Sequence, residues 1–201
     1  QERLSEQLKG TTLLTSDAVI RELAAVLSAR PELAAWLVND DLVRRFVASV
    51  NNIADGKNPR QHLEFLRLEK GFQAIDRDGR TIIDPASYAR YDAIVAVFVS
   101  LDTEGTAALY AELTPLIDDA YAEIAPPGSR FEDRLVAAID ELLEVPVLSG
   151  DVELQPKVLT FSYSDNELES LSPMQRQLLR MGPDNVRAVQ AKLHELQAAL
   201  R

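Results

Sequence analysis

No cysteine occurs among the 201 residues, which excludes a disulfide framework, a thiolate nucleophile and any cysteine-held metal. Histidine is nearly as scarce. His62 and His194 are the only two, far apart and each without a ligand-type residue at helical spacing, so no metal site is expected. Although 46% of the chain is apolar, no run approaches the roughly 20 residues that span a bilayer. The longest, Ala93-Ile-Val-Ala-Val-Phe-Val99, reads as a helix buried in a core. A Gly-x-Ser-x-Gly elbow, a phosphate-binding glycine loop and a dinucleotide fingerprint are all missing, and the eight glycines are scattered singly, as caps and turns require. Asp76-Arg-Asp78-Gly79-Arg-Thr81 matches in part the loop of phosphatases with an aspartyl nucleophile, and in part a calcium loop. Its threonine is displaced by one residue, no β/α alternation follows, and the distal bidentate glutamate is absent, so it reads as a plain turn. No catalytic residue, metal or cofactor is expected.

Positive charge is missing from one long stretch. From Asp102 to Glu153 the chain carries thirteen Asp and Glu against two basic residues, Arg130 and Arg134, a surplus equal to the whole net charge of −11. The flanks are close to neutral. Clustered acids steer cationic surfaces through long-range attraction, so Asp118, Asp119, Glu123, Asp140, Glu141 and Glu144 are candidate docking residues for a protein partner with a basic surface. The same acids equally suit a solvated helix face, and acids near a helix start are favoured by its dipole whatever the function. Two carboxylates brought together across a cleft would also suffice for acid–base chemistry.

Punctuation divides the rest of the chain. Ser16 is expected to cap a helix burying Ile20, Leu23, Ala24 and Leu27. Pro31 should open a short helix burying Leu33, Trp36 and Leu37, and Asp40 should cap a helix to about Ala54 with Leu42, Phe46, Val50 and Ile53 inward. Gly56 follows its end. Asp78-Gly79 predicts a hairpin with a type I′ turn. Asp84-Pro85 opens the most apolar helix, and Asp102 to Ile124 forms another, in which Pro115 removes a backbone donor and predicts a kink. Ser129 with Glu132, and Ser172 with Gln175, have the spacing of capping boxes. Leu159, Phe161 and Tyr163 alternate as a strand that pairs with Val152-Leu154 or extends the hairpin. Pro183 begins the last helix. Its Val186, Val189, Leu193, Leu196 and Leu200 follow coiled-coil spacing, which serves either the domain's own core or a dimer. The pair of C-terminal helices is not a DNA reader, since the large Leu178 stands where a tight crossing wants a small residue and the net charge repels phosphate. The fold class is therefore mainly α: a single-domain multi-helix bundle of about seven to eight helices with one small β-hairpin and a further short strand pair. Residues 1–15 are a lead-in and 16–201 the domain.

Several segments together resemble a known family: Leu33-Ala-Ala-Trp-Leu37, Asp41-Leu-Val-Arg-Arg-Phe-Val47, Val50-Asn-Asn-Ile-Ala-Asp-Gly56, Tyr88-Ala-Arg-Tyr-Asp92 and Leu171-Ser-Pro with Leu178-Leu-Arg-Met-Gly-Pro-Asp-Asn185. The chain is similar, from about Ser16 onward, to the bacterial family known as domain of unknown function 3014. That family has no assigned catalytic residues, and its members typically begin with one membrane-spanning helix and a proline-rich linker. The resemblance implies an extracytoplasmic domain on the periplasmic side of the inner membrane, anchored by an N-terminal helix. Gln1 to Thr15 lack the proline-rich character of such a linker.

The family-like residues have physical readings of their own. Arg44 and Arg45 stand four positions after Asp40 and Asp41, the spacing of helix ion pairs. Alternatively, one of them joins Arg90 and Tyr91 to line a groove for an anionic group, using arginine's planar fork. Asp184 and Asn185 are expected to satisfy free N–H groups at the start of the last helix. A binding or scaffolding module of the cell envelope, not an enzyme, is the expectation. An envelope hydrolase using paired carboxylates and a self-associating structural domain are the alternatives.

Overall fold

The computed structural model describes residues 2–200. In chain order come α1 (Glu2–Leu8), α2 (Ser16–Ala25), α3 (Pro31–Trp36), α4 (Leu42–Ala54), the hairpin β1 (Ala74–Arg77) and β2 (Arg80–Ile83), α5 (Asp92–Val99), α6 (Thr103–Ala122) and α7 (Phe131–Leu143). The pair β3 (Leu154–Pro156) and β4 (Phe161–Tyr163) follows, then α8 (Asn166–Ser170), α9 (Pro173–Leu179) and α10 (Pro183–Ala199). Short 3-10 helices cover Glu64–Leu66 and Pro85–Tyr91. The mainly α reading holds, with two short helices, α1 and α8, beyond those expected. Glu2–Leu8, in the stretch read as a lead-in, packs on α2 and α6.

Local signals act where a single turn suffices. Asp78 and Gly79 take φ of 51° and 76°, the left-handed pair a type I′ turn needs. Ser172 and Gln175 form a complete capping box on α9. Asp102 caps α6 by accepting from the Gly105 N–H at 2.6 Å. Elsewhere tertiary contacts override them. Neither Ser16 nor Asp40 caps a helix: the Ser16 hydroxyl donates back to the Leu13 carbonyl, and α4 is capped across the fold by Asp17 of α2. The Asp17 carboxylate accepts from the backbone N–H groups of Asp41 at 2.7 Å and Leu42 at 2.9 Å. Loss of such a cap costs about 1–2 kcal/mol, so Asp17→Ala should lower stability by that amount in urea melts, and Asp17→Asn by less. The Ser129–Glu132 box does not form either; α7 begins one residue later and Glu132 pairs with Arg130. At the start of α10, Asn185 donates to Asp92 and to the Met181 carbonyl, both at 2.9 Å, and Asp184 pairs with Arg187.

The buried face of α4 is also turned from expectation. Val43, Val47 and Val50 are inward, while Phe46 is 41% exposed and lies against Phe131. Leu42-Phe46-Val50-Ile53 and Val43-Val47-Val50 are both apolar at helical spacing, and packing of α4 on α6 and α7 selects the second. The strand alternation ends at Phe161, because Leu159 occupies the turn between β3 and β4 and is 93% exposed. Of the two pairings foreseen for this strand the first occurs, since β4 joins β3 and does not extend the hairpin; the hairpin is met instead by the segment before β3, where the Ile83 N–H donates to the Val152 carbonyl at 3.0 Å.

Two apolar clusters form the core. One gathers Val43, Val47, Leu116, Ile117, Tyr121 and Phe131 from α4, α6 and α7. The other gathers Tyr91, Val95, Tyr163, Leu178, Val186 and Leu193 between α5, α9, α10 and the strands. Leu135 of α7 touches both. The coiled-coil stripe of α10 is spent here: Val186, Val189, Leu193 and Leu196 are buried in the chain's own core, so the stripe is not an exposed dimer seam, and only Leu200 is half-exposed. Among the described residues no single helix is long and apolar enough to cross a membrane. The most apolar helix and α6 meet at a 72° bend. Lys192, only 5% exposed, secures that corner from α10 by donating to the Leu101 carbonyl at 2.5 Å and to Thr103 Oγ1 at 2.7 Å. Its charge is thereby hydrogen-bonded, as a buried ammonium must be.

Candidate functional site

Among its 20 residues α6 has no lysine or arginine, and between its leucines it carries a row of small side chains. Ala107, Ala111, Thr114 and Ala122 recur at helical spacing on a face away from the core stripe. Because those side chains are small, the space beside them stays open. A groove of about 940 Å³ results, walled by α6 on one side and by Phe131, Leu135 and Val136 of α7 on the other. Pro126-Pro127-Gly128 closes one end, and Gln197 and Leu200 from the end of α10 line it as well. Pro115 contributes chemically. The helix continues through it, but its missing N–H leaves the Ala111 carbonyl without a helical donor.

The polar groups of the groove are weighted toward acceptors. Asp118 and Glu132 line it, with Arg130 paired to Glu132. The Tyr110 hydroxyl is held protonated above its ordinary range, chiefly by burial and then by the negative charges of Glu132 and Asp118. The arrangement is a half-open apolar trough with a negative rim. It can take an apolar side chain into the trough and a cation at its edge.

Of the six acids singled out from sequence, Asp118 lines this groove, and Asp119, Asp140 and Glu144 are exposed on α6, on α7 and at the end of α7 without lining it. The other two are engaged. Glu123 receives a two-pronged bond from Arg44, Nε to Oε2 and Nη2 to Oε1, each 2.7 Å. Glu141 accepts from the Ser172 hydroxyl, and its backbone carbonyl accepts from Gln175 Nε2 at 3.2 Å, tying α7 to α9. No Asp or Glu is fully buried among the described residues.

Of the four ligand candidates, Arg90 and Tyr91 stand together, and Arg44 and Arg45 are tied to other partners. Arg44 spans α4 and α6 through Glu123 and also pairs with Asp41 at 3.2 Å. Arg45 donates to the carbonyls of Asp40 at 2.9 Å and His62 at 3.4 Å. Arg90 donates to the carbonyls of Ser87 at 2.8 Å and Lys70 at 3.0 Å, with its guanidinium 5.3 Å from the Tyr91 ring centre. The Tyr91 hydroxyl accepts from Gln177 at 3.0 Å. Among the described residues no hydrogen bond or ion pair joins Arg44 or Arg45 to Arg90 or Tyr91. The small residues of α6 and Tyr110, which lines the groove together with Tyr121, are beyond the sequence reading, because an alanine-rich face beside a leucine stripe reads as ordinary helix surface.

Two ion pairs predict a pH response. Arg134 bridges α7 to α4 by donating to Asn51 Oδ1 and the Asn51 carbonyl, both at 2.9 Å, and by pairing with Asp55. Arg134 beside Asp55 and Arg44 beside Glu123 hold those carboxyls below the usual range. A folded-state pKa below the unfolded value gives stability that is complete above about pH 4 and is lost as pH falls through the folded value. The Tm gap between wild type and Arg134→Gln should therefore narrow below about pH 4, by no more than about 1 kcal/mol, since Asp55 is partly solvated. A gap constant from pH 7 to 2 would assign the effect to Asn51 alone.

Fold and groove together define a mainly α single domain with an acid-rimmed trough. The chain belongs to the family described as protein of unknown function DUF3014, whose model matches residues 42–197, from the first turn of α4 to the last turn of α10. No curated protein and no solved structure matches the chain.

Proposed function

We propose that this domain is a binding or scaffolding module of the bacterial cell envelope, the extracytoplasmic part of a membrane-anchored protein, whose α6–α7 groove receives a partner segment with apolar and basic side chains. The observation that carries the binding reading is the groove itself. Apolar Ala111 and Val136 stand exposed on its two walls, on the one stretch of chain that holds the entire charge surplus. An apolar side chain entering it releases water from both surfaces, while the exposed acids raise the encounter rate with a cationic partner. The envelope location is supported by the family resemblance.

The test is capture from a native envelope extract at low and high salt with three forms of the domain, read by mass spectrometry. One is wild type. The second carries Asp118→Asn, Asp119→Asn, Asp140→Asn and Glu144→Gln, sparing the structural Glu123 and Glu141. The third carries Ala111→Phe, which fills the trough and leaves its charge. A partner held by wild type alone, and released by salt as screened charge pairs are, is the expected result. Identical captures by all three forms, or none by any, would remove the groove from consideration.

A further inference from the structure

Several half-buried guanidiniums of this acidic protein are matched by carboxylates, Arg44 by Glu123, Arg134 by Asp55 and Arg176 by Glu169, while Arg45 donates to backbone carbonyls. Around Phe72 two guanidiniums without a carboxylate meet at one ring. The guanidinium carbons of Arg90 and Arg180 lie 5.7 Å and 5.9 Å from the centre of that one ring. Neither has a carboxylate partner within 4 Å among the described residues. Lys70, whose backbone carbonyl is held by Arg90, is an exposed cation close by in the chain. Like charges gathered on one ring repel, and a cation–π contact offsets only about 0.5–1 kcal/mol at a partly exposed site.

The surroundings are built rather than loose. Phe72 is half-buried and packs against Phe161, with ring centres 5.8 Å apart and ring planes tilted by 56°. Arg90 is fixed by its two carbonyl bonds through Nε and Nη1, which leaves its other terminal nitrogen free to donate. Arg180 is half-buried and donates to no carbonyl or carboxylate among the described residues. Beside it the Tyr163 phenol is pushed up to about 12, mainly by burial, with the charge of Arg180 and its side-chain hydrogen bond to the phenol opposing. It is therefore a protonated hydroxyl at neutral pH.

We propose that Arg90 and Arg180, with Lys70 at the edge, form a binding site for an oxyanion, a carboxylate or a phosphate group. Guanidinium donors suit such a ligand because their planar fork matches two oxygens at once. The site is separate from the α6–α7 groove and of opposite sign, so it stands whether or not the groove binds a partner.

The test is a titration of the whole domain with inorganic phosphate and, separately, with succinate, following the arginine Nε–Hε resonances by NMR. Saturable shifts at Arg90 and Arg180 with either anion are expected, and which anion saturates identifies the source. Arg180→Gln should weaken that binding at least tenfold, whereas Arg187→Gln, which removes an arginine paired elsewhere, should leave it unchanged. A dispersed spectrum for Arg180→Gln shows that it has folded. No saturable shift with either anion, or equal affinity in the Arg180→Gln and wild-type domains, overturns the proposal.

Discussion

Phe131→Ala is expected to lower the unfolding free energy by about 3–5 kcal/mol, the cost of emptying a large buried aromatic site. Phe131 is 1% exposed and sits at the first turn of α7, with the Tyr121 ring 5.6 Å away and the Phe46 ring 5.7 Å away. Three helices close on it. For a chain of this size each kcal/mol moves Tm by about 2–4 °C, so a fall of roughly 6–20 °C should accompany the change in urea midpoint. Because Phe131 also forms part of the groove wall, the substitution widens the trough from its inner side. Phe131→Leu keeps most of the volume and should recover more than half of the loss. A Phe131→Ala protein within about 1 kcal/mol of wild type would mean that α4, α6 and α7 do not converge on this ring.

Gly182→Ala should be comparably severe, for a different reason. Gly182 joins α9 to α10 with φ 83° and ψ 162°, a region essentially reserved for glycine that costs other residues about 1–3 kcal/mol. A methyl group there would also stand 2.8 Å from Tyr88 Cβ, inside any real contact distance. Overpacking of that kind adds about 1–3 kcal/mol. The two costs separate in a double-mutant cycle, since Tyr88→Gly removes every side-chain atom of the collision, Cβ included, but not the strain at residue 182. Gly182→Ala should therefore cost less in the Tyr88→Gly background than alone, by the overpacking share. Equal costs in both backgrounds would place the whole effect in the backbone.

What the sequence revealed and what it hid divide along the range of the interaction. Asp78-Gly79 and the Ser172–Gln175 box act within four residues, and both are where the spacing puts them. The cap of α4 was hidden because its acceptor, Asp17, comes from another helix, leaving Asp40 as the nearer but unused choice. Phe46 was misassigned to the core because α4 offers two apolar stripes and only its neighbours choose between them. The acidic stretch was plain from composition, yet the groove within it was not. Hollows are made by what is small, and Ala107 and Ala111 carry no signal until α7 and the end of α10 are placed beside them. Arg180 escaped notice for a related reason, since its significance lies in the missing carboxylate and in Phe72, more than a hundred positions away.

The cross-fold cap has a consequence for where this domain starts. The family model begins at residue 42, which is the first residue of α4, yet the two backbone N–H groups at that point are satisfied by Asp17. Ile20, one turn further along α2, is buried in the same cluster as Val43 and Val47. A chain shortened to the matched stretch would carry an uncapped leading helix and an uncovered valine face. A chain of residues 42–197 should therefore be less stable than one that keeps α2, a difference that urea melts of the two lengths would measure.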